Sequence, residues 1–195
     1  MMQKLSRADL MSLEAYSEAR PDFRARVIAH KRNRQVRLGP HATLYFEDRL
    51  TMQYQIQEML RIERVFEAAG IQEELDAYNP LIPDGENWKA TFMIEYDDPE
   101  ERKVALERLL GIEDRVWVQV ADGERCYAIA DEDLERNRDE KTSAVHFMRF
   151  ELGAAGAAAV KNGATVAMGI ELDAYNHTVA AVPDNVRDCL AGDLT

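Results

Sequence analysis

Residues 144–152, AVHFMRFEL, alternate with period two, yet apolar side chains fall on both faces. Ala144, His146, Met148, Phe150 and Leu152 share one side; Val145, Phe147, Arg149 and Glu151 share the other. Such a strand has to be covered twice, so the chain must supply packed layers as well as a sheet. Other runs read as its neighbours. HATLYFED, 41–48, alternates between Ala42, Leu44 and Phe46 on one face and His41, Thr43, Tyr45 and Glu47 on the other. ATFMIEY, 90–96, and TVAMGI, 165–170, are further strands, and RVWVQVADGERCYAIA is a hairpin turning at Ala121-Asp122-Gly123-Glu124.

Helices fall between them. Ser6 and Asp9 form an N-terminal box that opens a short helix through Leu10, Leu13 and Tyr16, and Pro21 starts a second. A long helix is expected from about 50 to 69, stopped by Gly70, followed by IQEELDAY. Asp98, Pro99 and Glu101 are N-cap, N1 and N3 of a helix that Gly111 ends. Short helices follow at 154–161 and in PDNVRDCLAG. ELDAYN occurs at 74–79 and again at 171–176, too short a match to imply a repeat. The expectation is one α+β domain over 1–195, with a mixed or largely antiparallel sheet, helices packed over it, and an N-terminal helical segment, 6–35, on the body.

Composition narrows the function. With 46% hydrophobic and 31% charged residues the chain can fold, since disorder needs less apolar content. No run approaches the roughly 18 apolar residues of a membrane span, and the first residues lack the apolar core of a secretion signal. Cys126 and Cys189 make neither a disulfide framework nor a metal motif. A cytoplasmic protein is expected. A formal charge of −12 disfavours a general nucleic-acid binder. However, residues 20–37 carry Arg20, Arg24, Arg26, Lys31, Arg32, Arg34 and Arg37 against Asp22 alone. That run is a candidate surface for RNA or an acidic protein, with internal ion pairing as the plainer use.

Two polar residues stand out in apolar patterns. On a helix, Met52, Ile56, Met59, Leu60 and Phe66 gather on one side, and Glu63 projects among them. A carboxylate there needs a partner, a metal or a proton, unless the helix places it at the rim. His146 shares its strand face with Met148 and Phe150, and His41 heads the first strand. If Glu63, His146 and His41 converge, they form a nitrogen–carboxylate site suited to zinc or iron. No HExxH, ExxH pair or CxxC supports that spacing, and a hydrogen-bonded core histidine is the simpler reading of His146. No nucleophile completes an acid–base site.

Asp131, Asp133 and Glu135 have calcium-loop spacing, but Arg136 and Thr142 stand where that loop wants Gly and Glu, so DEDLERNRDE reads as a solvated charged loop. GAAGAAAV lacks the three spaced glycines of a dinucleotide fingerprint. NPLIPDGENW is a stiff connection that either walls a pocket or joins layers, with Trp88 as packing.

The stretches RPDFRARVIAHKRNRQVRLGPHATLYFEDRLTMQYQIQEMLRIERVF, EELDAYNPLIPDGENWKATFMIEYDDPEER and DEDLERNRDEKTSAVHFMRFEL together resemble an uncharacterised bacterial family, domain of unknown function 3501, over nearly the whole chain. The resemblance implies no activity, cofactor or catalytic residue. It implies redox or iron-linked physiology, because members are often encoded near rubrerythrin-like and iron–sulfur redox proteins. The resulting expectation is a ligand- or metal-binding accessory protein beside a redox or iron-handling partner.

Overall fold

The computed structural model describes residues 3–133, 136 and 140–195. The chain forms α1 (Leu13–Lys31), β1 (Gln35–Leu38), β2 (Ala42–Glu47), α2 (Arg49–Glu63), α3 (Ala68–Tyr78) and β3 (Asn87–Ile94). There follow α4 (Pro99–Arg108), β4 (Val116–Val120), β5 (Cys126–Tyr127), β6 (Ile129–Ala130) and β7 (Val145–Glu151). The chain closes with α5 (Gly153–Lys161), β8 (Val166–Leu172), β9 (Tyr175–Val179) and α6 (Asp184–Ala191). This is an α+β domain, but with two sheets rather than one: β1-β2-β3-β7-β6 and β5-β4-β8-β9. Every strand pairing among the described residues is antiparallel. Among the described residues no helix is long and apolar enough to cross a membrane.

The double coverage demanded by AVHFMRFEL is met by different layers on its two sides. The inner face of the five-stranded sheet, with Leu44, Phe46, Trp88, Phe92, Met148 and Phe150, packs on Val118, Met168 and Ile170 of the second sheet. Helices α4, α5 and α6 complete this main core through Leu106, Val160 and Leu190. The outer face looks toward α1, α2 and α3. There Met52, Ile56, Leu60, Leu75 and Ile82 form a separate core with Leu5, and none of the residues buried in it is on a strand. The helical layer therefore packs chiefly on itself, because the facing strand positions Thr43, Tyr45, Glu47 and Thr91 are polar or amphipathic.

Two helix boundaries differ from expectation. α2 stops at Glu63, not near 69: Arg64 takes the left-handed conformation (φ 57°), and the Val65 amide returns to the Leu60 carbonyl at 2.9 Å. Gly70 lies inside α3, where a Cβ would come within 2.7 Å of Val65 Cγ1, so its bareness serves packing instead of termination. At the N-terminus the Ser6–Asp9 box is present but caps only a 3-10 turn, Arg7–Asp9. One helix, capped by Ser12, then runs through Pro21 to Lys31. Pro21 is on its exposed side, where water can satisfy the carbonyl that loses its donor.

α1 is fastened to α2 by Glu58, which accepts Arg20 at 2.7 and 2.9 Å and the Tyr16 hydroxyl at 2.7 Å. The Arg20 hydrogen bond, foremost, holds its carboxyl at about 2. A depressed carboxyl contributes stability above its usual range and loses it as pH falls. Glu58→Gln should thus be less stable than the native chain at neutral pH, with the two urea-denaturation curves converging as pH approaches 2. A constant gap across that range would contradict the assignment.

Candidate functional site

The three residues expected to converge are dispersed. Glu63 is the exposed last residue of α2, so its carboxylate is not desolvated, and Phe66, expected beside it in the core, is 71% exposed. The charge of Glu63 falls on Glu74 of α3, whose carboxyl is pushed up by burial first and by Glu63 second. His41 stacks on Tyr96 at 3.8 Å, with Nδ1 3.1 Å from the Glu95 carbonyl. His146 lies opposite Phe92, itself opposite Leu44, so His41 is two strands away and three residues further along. Among the described residues no three His, Cys, Asp or Glu side chains are arranged to hold a metal ion.

His146 is fully buried and hydrogen-bonded. Nδ1–H donates to Asp131 Oδ2 at 2.6 Å, while Nε2 meets Thr142 Oγ1 at 2.9 Å and the Ser143 carbonyl at 3.1 Å. Thr142 also donates to Glu113. Asp131, left-handed at φ 52°, accepts the Phe147 amide and Arg136 as well. This part of DEDLERNRDE is built inward, which corrects its reading as a wholly solvated loop; Leu134, Glu135, Asn137, Arg138 and Asp139 lie outside the described residues. Thr142 and Glu113 are buried with it, and the imidazole's two nitrogens are both engaged. The network joins β6 and β7 to the 3-10 turn Ile112–Arg115 that leads into β4, and so ties the two sheets together.

The basic run divides between uses. Arg20 pairs with Glu58, and Arg34 is buried among backbone carbonyls, Asp48 and Asp193. Arg24, Arg26 and Arg32 remain exposed, with Arg26 lying 5.1 Å over the Phe23 ring.

Two of the depressions on the outer face of the five-stranded sheet share Tyr45. The first, about 540 Å³, is a polar cleft containing Arg37, His41, Thr43, Glu95 and Tyr96. Its groups largely satisfy one another: Glu95 accepts Thr43 at 3.0 Å and Tyr45 at 3.3 Å, and Arg37 donates to the Pro40 carbonyl. The second, about 350 Å³, lies between the sheet and the helical layer. Its floor includes Glu47, Thr91, Met93 and Phe147; Met52 and Gln55 of α2 and Tyr78 of α3 face them.

Glu47 distinguishes the second depression. It is 5% exposed, and Oε1 accepts the Thr91 hydroxyl at 2.7 Å, but Oε2 is buried without a hydrogen-bond partner. Lys31, the last residue of α1, faces the same space and forms no ion pair with Glu47 within 4.0 Å. An unpaired buried carboxylate oxygen is costly. It also supplies the orienting polar contact that an otherwise apolar cavity needs in order to bind a ligand. The alternation of HATLYFED had already put Glu47 on the polar side of its strand. What was missing was the cross-strand register placing Thr91 beside it and the helical layer that shuts it off from water.

A family model described as "Protein of unknown function (DUF3501)" matches residues 4–194. A crystal structure described as a novel protein of unknown function from Burkholderia pseudomallei K96243 is 53% identical and has a TM-score of 0.94. That match covers 99% of this chain and 100% of the other. No curated protein matches.

Proposed function

The chain belongs to the DUF3501 family of unknown function, and from that premise we propose that it is a small-molecule-binding accessory protein. The ligand lies between the five-stranded sheet and the helical layer and presents a hydrogen-bond donor to Glu47. The observation that carries this reading is the buried, unpartnered Oε2 of Glu47, a residue that lines a cavity of about 350 Å³. Met52, Met93 and Phe147 supply an adaptable apolar wall, and the stiff connection after α3 contributes Leu81 to the lining. Association with a redox or iron-handling partner is a further proposal, which the family resemblance motivates.

A residue kept for binding at the expense of stability reveals itself by the sign of its substitution. Glu47→Gln preserves an acceptor for Thr91 and removes the buried charge. It should raise stability in urea by about 1–2 kcal/mol. A loss of stability instead would place Glu47 among ordinary structural hydrogen-bonding residues and sink the proposal.

A further inference from the structure

We propose that the ligand is a zwitterion of the α-amino-acid type, its ammonium on Glu47 and its carboxylate on Lys31, with an apolar side chain against Met52, Met93 and Phe147. The inference rests on the reading of Glu47 as the anchor and names the class of molecule that fits it. The cavity holds two charged groups of opposite sign that do not meet. Glu47 lines the cavity, and one of its carboxylate oxygens is buried without a hydrogen-bond partner. Lys31, half-buried and lining the same cavity, has no ion pair or side-chain hydrogen bond among the described residues. The two form no ion pair within 4.0 Å and line one cavity, which leaves each charge for a molecule carrying both complements.

Charge balance selects among simpler alternatives. A monoamine would neutralise Glu47 and leave Lys31 unanswered. A monocarboxylate would answer Lys31 and leave Glu47 buried and unpaired, with a second negative charge in the same space. A zwitterion satisfies both at no net charge, and charge-assisted hydrogen bonds at each end are the strong kind. Gln55 lines the same cavity with a side-chain amide that has no hydrogen-bond partner among the described residues. A volume near the lower bound for ligand cavities suits one residue-sized molecule rather than a long chain.

The test is calorimetric titration of the untagged full chain with L-phenylalanine and L-methionine, and with phenethylamine and 3-phenylpropanoate as matched single-charge probes. The amino acids should bind most tightly. Lys31→Met should weaken them roughly tenfold or more while leaving phenethylamine unchanged, and Glu47→Gln should abolish binding of amino acid and amine alike. Unfolding melts check that both variants fold. Equal affinity for amine and amino acid, or indifference to Lys31→Met, overturns the zwitterion and leaves the anchor standing. Failure of all four probes also overturns it. The anchor is judged separately, because the stability change in Glu47→Gln needs no ligand.

Discussion

Arg34→Met should lower stability by about 3–5 kcal/mol, the range for breaking a buried ion pair from one side. The guanidinium is 2% exposed. Nε donates to the Phe46 carbonyl and Nη2 to the Glu47 carbonyl, each at 3.1 Å. Nη1 is 3.5 Å from Asp48, and Nη2 is bonded to Asp193. Methionine fills much of the volume but leaves two carboxylates and two carbonyls in a dry place. The loss should depend on pH. Burial pushes the Asp193 carboxyl up to about 6, against the pull of Arg34. Its folded value is above its unfolded value, so its favourable contribution is present at acid pH and is lost as pH rises through about 6. Without Arg34 only the weaker pull of His30 opposes that rise. Urea denaturation should show a larger deficit for the variant at pH 8 than at pH 5; equal deficits would mean that Asp193 is not held by this arginine.

Trp88→Ala should cost about 3–5 kcal/mol, as large-to-small changes of buried tryptophan do. Trp88 is fully buried on β3, edge-on to Phe46 with ring centroids 5.9 Å apart. Its Nε1–H donates to the Leu190 carbonyl at 2.9 Å, which fixes α6 against the five-stranded sheet. Trp88→Phe keeps most of the packing and gives up that bond, so its deficit should be clearly smaller. Thermal and urea unfolding of the two variants separates the contributions. Similar losses for both would show that the hydrogen bond, not the ring volume, dominates at this position.

The strands were legible wherever alternation was strong. The face assignments of 41–48 and 144–152 hold residue by residue, including His146 on the inner side. The N-cap at Asp98 holds too, with its carboxylate accepting the Glu100 and Glu101 amides. What failed depended on contacts distant in sequence. The left-handed Arg64 has no signature in its residue type, and Gly70 advertised a stop that Arg64 had already made. ELDAYN makes the point most sharply: at 74–79 it closes α3, and at 171–176 it spans the β8–β9 hairpin. In the second copy the Tyr175 hydroxyl donates to Leu38 on β1 and accepts the His41 amide. Surroundings override a shared local preference. Glu63 drew attention by its angle on an assumed helix, whereas Glu47 sat in plain alternation and became unusual only once α1–α3 covered it.

The partnership of Arg34 with Asp193 also sets an order of assembly. Its two members are 159 positions apart. At about 5–20 residues per second of synthesis, an emerging Arg34 waits roughly 10–30 s for that carboxylate. Until then the first hairpin has little reason to leave water, since sealing it would leave the Arg34 cation with Asp48 at 3.5 Å and two backbone carbonyls but without the Asp193 carboxylate. β1 and β2 are therefore among the last strands to be locked, and the Asp193 carboxylate acts as the latch.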